Sequence, residues 1–116
     1  MEHHFKFVII GAGVIGLSIA EKLSQTYRDI LVVDKEKKFG QHSSSRNSEV
    51  IHSGFYYPHN SLKAKLCVKG NTMIYDFCKK YNIPYKKCGK LVVANNKSEI
   101  QEINKIFTLA KKNGVK

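Results

Sequence analysis

The first apolar run of the chain, Phe7 to Ile10, contains no polar residue, the pattern of a parallel strand covered on both faces. It opens directly into Gly11, Gly13 and Gly16, and a helical period follows over Val14 to Ser24. A second apolar run, Ile30 to Val33, ends at Asp34. Strand, glycine turn, helix and strand make a βαβ unit, and the G-x-G-x-x-G spacing at its first turn predicts a bound dinucleotide. The physical reason is that the unpaired amides and positive dipole end of the helix meet a pyrophosphate there. Gly11 permits the tight turn, Gly13 lets the phosphates approach the backbone, and Gly16 allows the helix to pack closely on the strand. Asp34 lies about 20 residues beyond the loop, where a carboxylate accepts the hydroxyls of an adenosine ribose. A tight turn with no ligand is the alternative reading of the same spacing.

Beyond Asp34 the periodicity stops. Lys35 to Lys38 is charged, Phe39-Gly40 reads as a turn, and Gln41 to Asn60 is a polar stretch rich in serine, broken by Val50-Ile51 and by Phe55-Tyr56-Tyr57. Such a stretch between periodic regions is a solvent loop or a ligand-binding segment. Ser61 then caps a predicted helix running to about Tyr81, with Leu62, Leu66, Ile74, Phe77, Cys78 and Tyr81 near one face. Pro84 ends it by disfavouring helical backbone in the residue before it. Two extended segments are predicted next, Tyr85 to Cys88 and Lys90 to Ala94, joined at Gly89. Ser98 with Gln101 has the spacing of a capping box for a last helix, whose apolar period through Ile100, Ile103, Ile106, Phe107 and Ala110 stops at Gly114. The helix faces are read as core.

The chain has 116 residues and a formal net charge of +11. The charge raises nucleic-acid binding, but it is almost all lysine spread from Lys6 to Lys116, with Arg28 and Arg46 as the arginines, whereas base readout leans on arginine's planar fork. A solvated lysine-rich surface is the reading preferred, and no nucleic-acid partner is expected. Cys67, Cys78 and Cys88 have neither CxxC spacing nor an even count, so free thiols in a reducing compartment are expected. The few residues before Phe7 leave no room for a leader peptide, and a cytoplasmic location is the expectation, with peripheral membrane association left open. No apolar run reaches the roughly 20 residues of a membrane span. His3 and His4 have no third ligand at zinc spacing, so no metal site is assigned.

The segments VIIGAGVIGLSIA, SSSRNSEVIHSGFYYP, SLKAKLCVKGN and CGKLVVA together resemble the L-2-hydroxyglutarate dehydrogenase/oxidase group. That group lies within the FAD-dependent superfamily of D-amino-acid oxidase and glycerol-3-phosphate dehydrogenase. The resemblance runs from Phe7 through Gly114, and its middle segment is far more specific than the glycine loop. It implies an α/β fold: the N-terminal part of a Rossmann-like FAD-binding domain over residues 1–82, with the beginning of an α+β substrate domain over 83–116. It implies FAD as cofactor, with Gly11, Gly13, Val14, Ile15 and Gly16 around the pyrophosphate and Asp34 with Lys35 at the adenosine end. Ser44, Ser45 and Asn47 would line the phosphate and ribityl region, and His52, Ser53 and Gly54 would lie against the flavin ring. Glu49 stands where the hydroxyglutarate members carry Gly and other flavin oxidoreductases carry Glu, which leaves the substrate open.

The implied reaction is oxidation of a small 2-hydroxy acid to the 2-oxo acid, with hydride passing to the flavin. His52 is the candidate for the base or for a group polarising the hydroxyl; packing on the flavin is its plainer role. Tyr56 and Tyr57 are either substrate contacts or packing, and Arg46 either pairs with an anion or sits on the surface. A binding-only fragment competes with the enzyme reading, since the return strands of the sheet and the carboxylate-clamping residues are expected in a C-terminal portion of the same fold. On that reading the purified chain binds FAD poorly and is inactive, and the electron acceptor is decided elsewhere. An NAD-binding domain would share the glycine loop and Asp34 but leave Ser43 to Tyr57 unexplained.

Overall fold

The computed structural model describes residues 3–115. Its elements in chain order are strand β1 (Phe7–Ile10), helix α1 (Val14–Ser24), strand β2 (Ile30–Val33), helix α2 (Leu62–Lys80) and helix α3 (Lys97–Lys112). A single 3-10 turn, His42–Ser44, lies between β2 and α2. β1, α1 and β2 fall where the apolar periods place them. The chain forms two compact units, one through Val50 and the other from Ile51 onward.

In the first unit β1 and β2 pair in parallel, with Phe7 opposite Ile30 and Ile10 opposite Val33. Parallel neighbours need a crossover, and α1 supplies it, giving the α/β arrangement the pattern implies. The ring of Phe7 packs on Tyr27, at 4.8 Å between centroids, and closes the end of the unit remote from the glycines. At the other end Ile10 is 87% exposed and Ile15 74% exposed, so the outer faces of strand and helix are uncovered.

The second unit is built around one tyrosine ring and small residues. Ser61 caps α2 by accepting from the Ala64 amide at 3.1 Å. The buried hydrophobic residues here are Tyr57, Ala64 and Cys78, while Leu62 and Leu66 of the predicted apolar face are 71% and 57% exposed. That face holds at Cys78 and is corrected at its large residues: the loop before α2 approaches it at Ala64, whose carbonyl a Cβ on Gly54 would meet at 3.1 Å. Beyond the Tyr81 cap of α2 the chain turns at Asn82, whose φ is +54°, with the Ile83 amide reaching back to the Cys78 carbonyl at 2.8 Å. This left-handed stop precedes Pro84 and does the work assigned to it.

Two further expectations are corrected. Residues 85–94 pair with no strand among the described residues, and Leu91 is 90% exposed; an apolar run becomes a strand only where an edge is available to receive its hydrogen bonds. The cap of α3 is Asn96 with Glu99 three residues on, rather than Ser98 with Gln101: Asn96 Oδ1 accepts from the Glu99 amide at 3.1 Å, and Glu99 Oε2 reaches back to accept from the Asn95 amide, one residue before the cap, at 2.7 Å. Asparagine caps as well as serine, and an acidic residue stands at the matching offset. The stop at Gly114 is as expected, with φ +78° and the Val115 amide on the Ala110 carbonyl at 3.0 Å.

Candidate functional site: a glycine loop and a clamped histidine loop

The glycine loop is set by β1 and β2 together. The Gly11 amide donates to the Val33 carbonyl at 2.7 Å, and Gly11 then turns with φ +110°. Gly16 follows from close approach: a Cβ there would lie 1.9 Å from the Gly11 carbonyl oxygen, so no other residue lets α1 start this near its own strand. Gly13 is the N-cap residue and provides no side-chain cap, and no acidic residue stands in the first turn. The first turn of α1 therefore presents backbone donors with no acidic side chain of its own, which suits an anion.

Asp34 and Ser44 both reach into this loop. Asp34 Oδ2 accepts from the Ala12 amide at 2.6 Å, and Oδ1 accepts from the Glu36 amide at 2.9 Å. These bonds, the Ala12 one first, hold its carboxyl below the ordinary carboxylate value against the opposing effect of desolvation. Each carboxylate oxygen keeps a further lone pair, so the group can accept from ribose hydroxyls while it holds the loop. Ser44 Oγ accepts from the Val14 amide at 2.9 Å, and a Cβ on Gly13 would lie 3.0 Å from that oxygen. Gly13 thus makes room for the serine as well as for phosphate.

The other predicted residues of this unit are placed less directly. The Ser45 hydroxyl donates to the His42 carbonyl at 3.1 Å, and Asn47 Nδ2 donates to the Ser44 carbonyl at 3.1 Å. Both fold back on their own segment and shape the turn that carries Ser44. Val14, Ile15, Lys35 and Arg46 have exposed side chains, so any part Val14 and Ile15 play comes from their backbone amides. Glu49 has φ +56° and its amide donates to Asn47 Oδ1 at 2.8 Å. A left-handed position is one that glycine fills without steric cost, so Glu49 holds this turn against a steric penalty.

The second unit carries His52, Ser53 and Gly54. Gly54 is buried with φ +85°, and a Cβ on it would meet Val68 Cγ2 at 3.0 Å and the Ala64 carbonyl at 3.1 Å. Within the structure, the absence of a side chain here serves the packing of the loop on α2. His52 has an exposed side chain, with its ring centroid 6.5 Å from that of Tyr57. Its carbonyl accepts from Asn71 Nδ2 at 3.2 Å. Tyr57 is buried, its hydroxyl lies 3.3 Å from that of Tyr56, and the hydrogen bond the two phenols share, together with desolvation, pushes its pKa up to about 12. Lys63 Nζ sits 4.3 Å from the centre of the Tyr57 ring.

The residue that sequence reasoning missed is Asn113. Its Nδ2 donates to the carbonyls of Gly54 at 3.0 Å and Tyr57 at 2.8 Å, and its Oδ1 accepts from His59 Nδ1 at 3.1 Å. An Asn-Gly pair after an amphipathic run reads as a helix end, and nothing in that local signal points to a loop more than 50 residues earlier. Among the described residues no cluster of His, Cys, Asp or Glu is arranged to hold a metal, and no helix is long and apolar enough to cross a membrane.

A glycine-turned βαβ start with an acidic residue at the end of β2 defines a dinucleotide-binding class. The family model described as FAD dependent oxidoreductase, DAO, matches residues 6–116, and the chain belongs to that family. It is similar to proteins named "L-2-hydroxyglutarate dehydrogenase, mitochondrial": 51% identical to that of Arabidopsis thaliana over 93% of this chain and 22% of the relative. The protein of Nematostella vectensis is 47% identical over 97% of this chain and 25% of its own length, and that of Homo sapiens 42% over 96% and 24%. The chain thus spans about a quarter of the length of the curated relatives it matches. The cytoplasmic expectation is overturned by these names, which point to mitochondria. It rested on the shortness of the segment before Phe7.

Proposed function

We propose that the chain carries the N-terminal, cofactor-holding quarter of an FAD-dependent oxidoreductase that converts L-2-hydroxyglutarate, or a close 2-hydroxy acid, to the 2-oxo acid. The observation that carries the cofactor half is the start of α1: a glycine N-cap with no side-chain cap, no acid in the first turn, and Ser44 and Asp34 placed on the Val14 and Ala12 amides. The loop amides left unpaired beside these two fit a diphosphate, and the Asp34 carboxylate fits a ribose beside it. The substrate half is supported by the names of the relatives.

When bound, FAD supplies the hydride acceptor. The residues of this chain do the rest. The loop amides from Gly13 to Gly16 and the dipole of α1 neutralise the pyrophosphate, while Asp34 orients the ribose. Ser44 Oγ, while it accepts from the Val14 amide, keeps its own proton to donate to a phosphate oxygen. His52, exposed at the start of its loop, takes the hydroxyl proton of the substrate as hydride leaves the α carbon. An imidazole is suited to hold that proton near neutral pH.

The test is a chimera in which this chain replaces the matching segment of the Arabidopsis relative. The expected protein is yellow, and L-2-hydroxyglutarate without oxygen removes its oxidised-flavin absorbance. His52→Asn keeps the colour and slows that reduction by about 100-fold or more, within the range for losing a general base. A chimera that binds FAD and is left oxidised by the substrate contradicts the proposal.

A further inference from the structure

The loop from Ile51 to Tyr57 makes no backbone-to-backbone hydrogen bond among the described residues outside its junction with α2. A loop with that backbone pattern owes its shape to other groups. Here they are side-chain amides on separate helices. Asn71, in α2, holds the His52 carbonyl, and Asn113, at the end of α3, holds those of Gly54 and Tyr57.

We infer that Asn113 is a positioning residue for the loop that carries His52, a clamp that fixes the backbone from Gly54 to Tyr57 and thereby the side chains presented just before it. This rests on the reading of that loop as facing the flavin. Asparagine is the side chain the geometry requires. Its NH₂ offers a proton to each of two carbonyls, at 3.0 and 2.8 Å, while its own oxygen takes the proton of His59 Nδ1. Turned over, the amide would set oxygen against two carbonyl oxygens, so its orientation is dictated. Aspartate has the same shape and no donor when ionised, and would meet both carbonyls with lone pairs. The role of Asn113 in ending α3 is separate, since its backbone amide bonds to Leu109 at 2.9 Å whatever the side chain is.

The test compares Asn113→Asp with Asn104→Asp, which places the same charge on an exposed position of α3. In the full chain, chymotrypsin cleavage after Phe55 and Tyr56 is expected to rise at least 10-fold in N113D and to stay at the wild-type rate in N104D. Added FAD is expected to shift the amide resonances of Ser53 and Gly54 in wild type and N104D. N113D should lose those shifts and keep the ones at Gly13 and Gly16. Equal cleavage in the two variants, or Ser53 and Gly54 shifts that survive in N113D, overturns the clamp. Wild type showing no FAD shift at Ser53 or Gly54 sinks the flavin reading of the loop alone, and the cleavage contrast still decides the clamp. Should N113D not fold, the through-hydrogen-bond couplings from Asn113 Nδ2 to the Gly54 and Tyr57 carbonyl carbons decide it in wild type: present, they support it; absent, they overturn it.

Discussion

In the glycine loop the backbone is tied down by its own neighbours: Gly11 to Val33 on the adjacent strand, and Gly16 wedged against the Gly11 carbonyl. In the His52 loop the carbonyls are held by asparagine side chains from helices that lie far along the sequence. Both loops contain a glycine with no room for a methyl group, yet for different reasons. Gly16 is excluded by backbone within the same turn, Gly54 by side chains and backbone of α2. A loop of the first kind is fixed as soon as its short motif folds. A loop of the second kind is only as well placed as the helices that reach it.

Gly16→Ala probes this difference most severely. The new carbon would sit on the Gly11 carbonyl, so β1 and α1 must separate, and a loss of about 3 kcal/mol is expected with FAD binding abolished. Denaturant midpoints and FAD titration check both. Gly54→Ala combines contacts near 3.0 Å with φ +85°, and should cost about 2 kcal/mol, with chymotrypsin cutting the loop faster while Gly13 and Gly16 resonances stay in place. Matching changes in both loops from either substitution would break the contrast.

Ser44→Ala removes the acceptor on the Val14 amide and is expected to cost about 1 kcal/mol, as for loss of an N-cap, with weaker FAD binding. Asp34 gives a pH test. Its carboxyl titrates below 3.8 in the fold, so the unfolded chain binds more protons over that interval. The stabilisation is fully present above about pH 3.8 and is lost as pH falls through the lower native value; Asp34→Asn flattens that acid limb in a stability-against-pH series. The smallest effect belongs to Glu49→Gly, which relieves a left-handed side chain at some cost in chain entropy for a net gain of about 0.5 kcal/mol in thermal unfolding.

The same contrast explains what could be read from the residues. β1, α1, β2 and the glycine spacing are local signals, each complete within a few positions, and the structure keeps them. Ser61 as cap of α2 and Gly114 as stop of α3 are equally local. The errors fall where a partner distant in sequence decides. Lys90 to Ala94 has strand composition and no strand to pair with among the described residues. The large apolar residues of α2 look like its core face, but Gly54 brings the loop backbone against the small ones. The serine-rich segment is legible as unusual, whereas the bond of Ser44 to Val14, 30 residues away, has no local sign. Asn113 gives no local sign of its second role.

The central claim is that the start of α1 binds the diphosphate of FAD, and amide mapping of the isotope-labelled chain with FAD and with ADP tests it most directly. The account predicts that both ligands, even at millimolar concentration, shift Ala12, Gly13, Val14 and Gly16 together with the residue following Asp34. Ligand shifts confined to other residues, or none at all at that concentration, would contradict it.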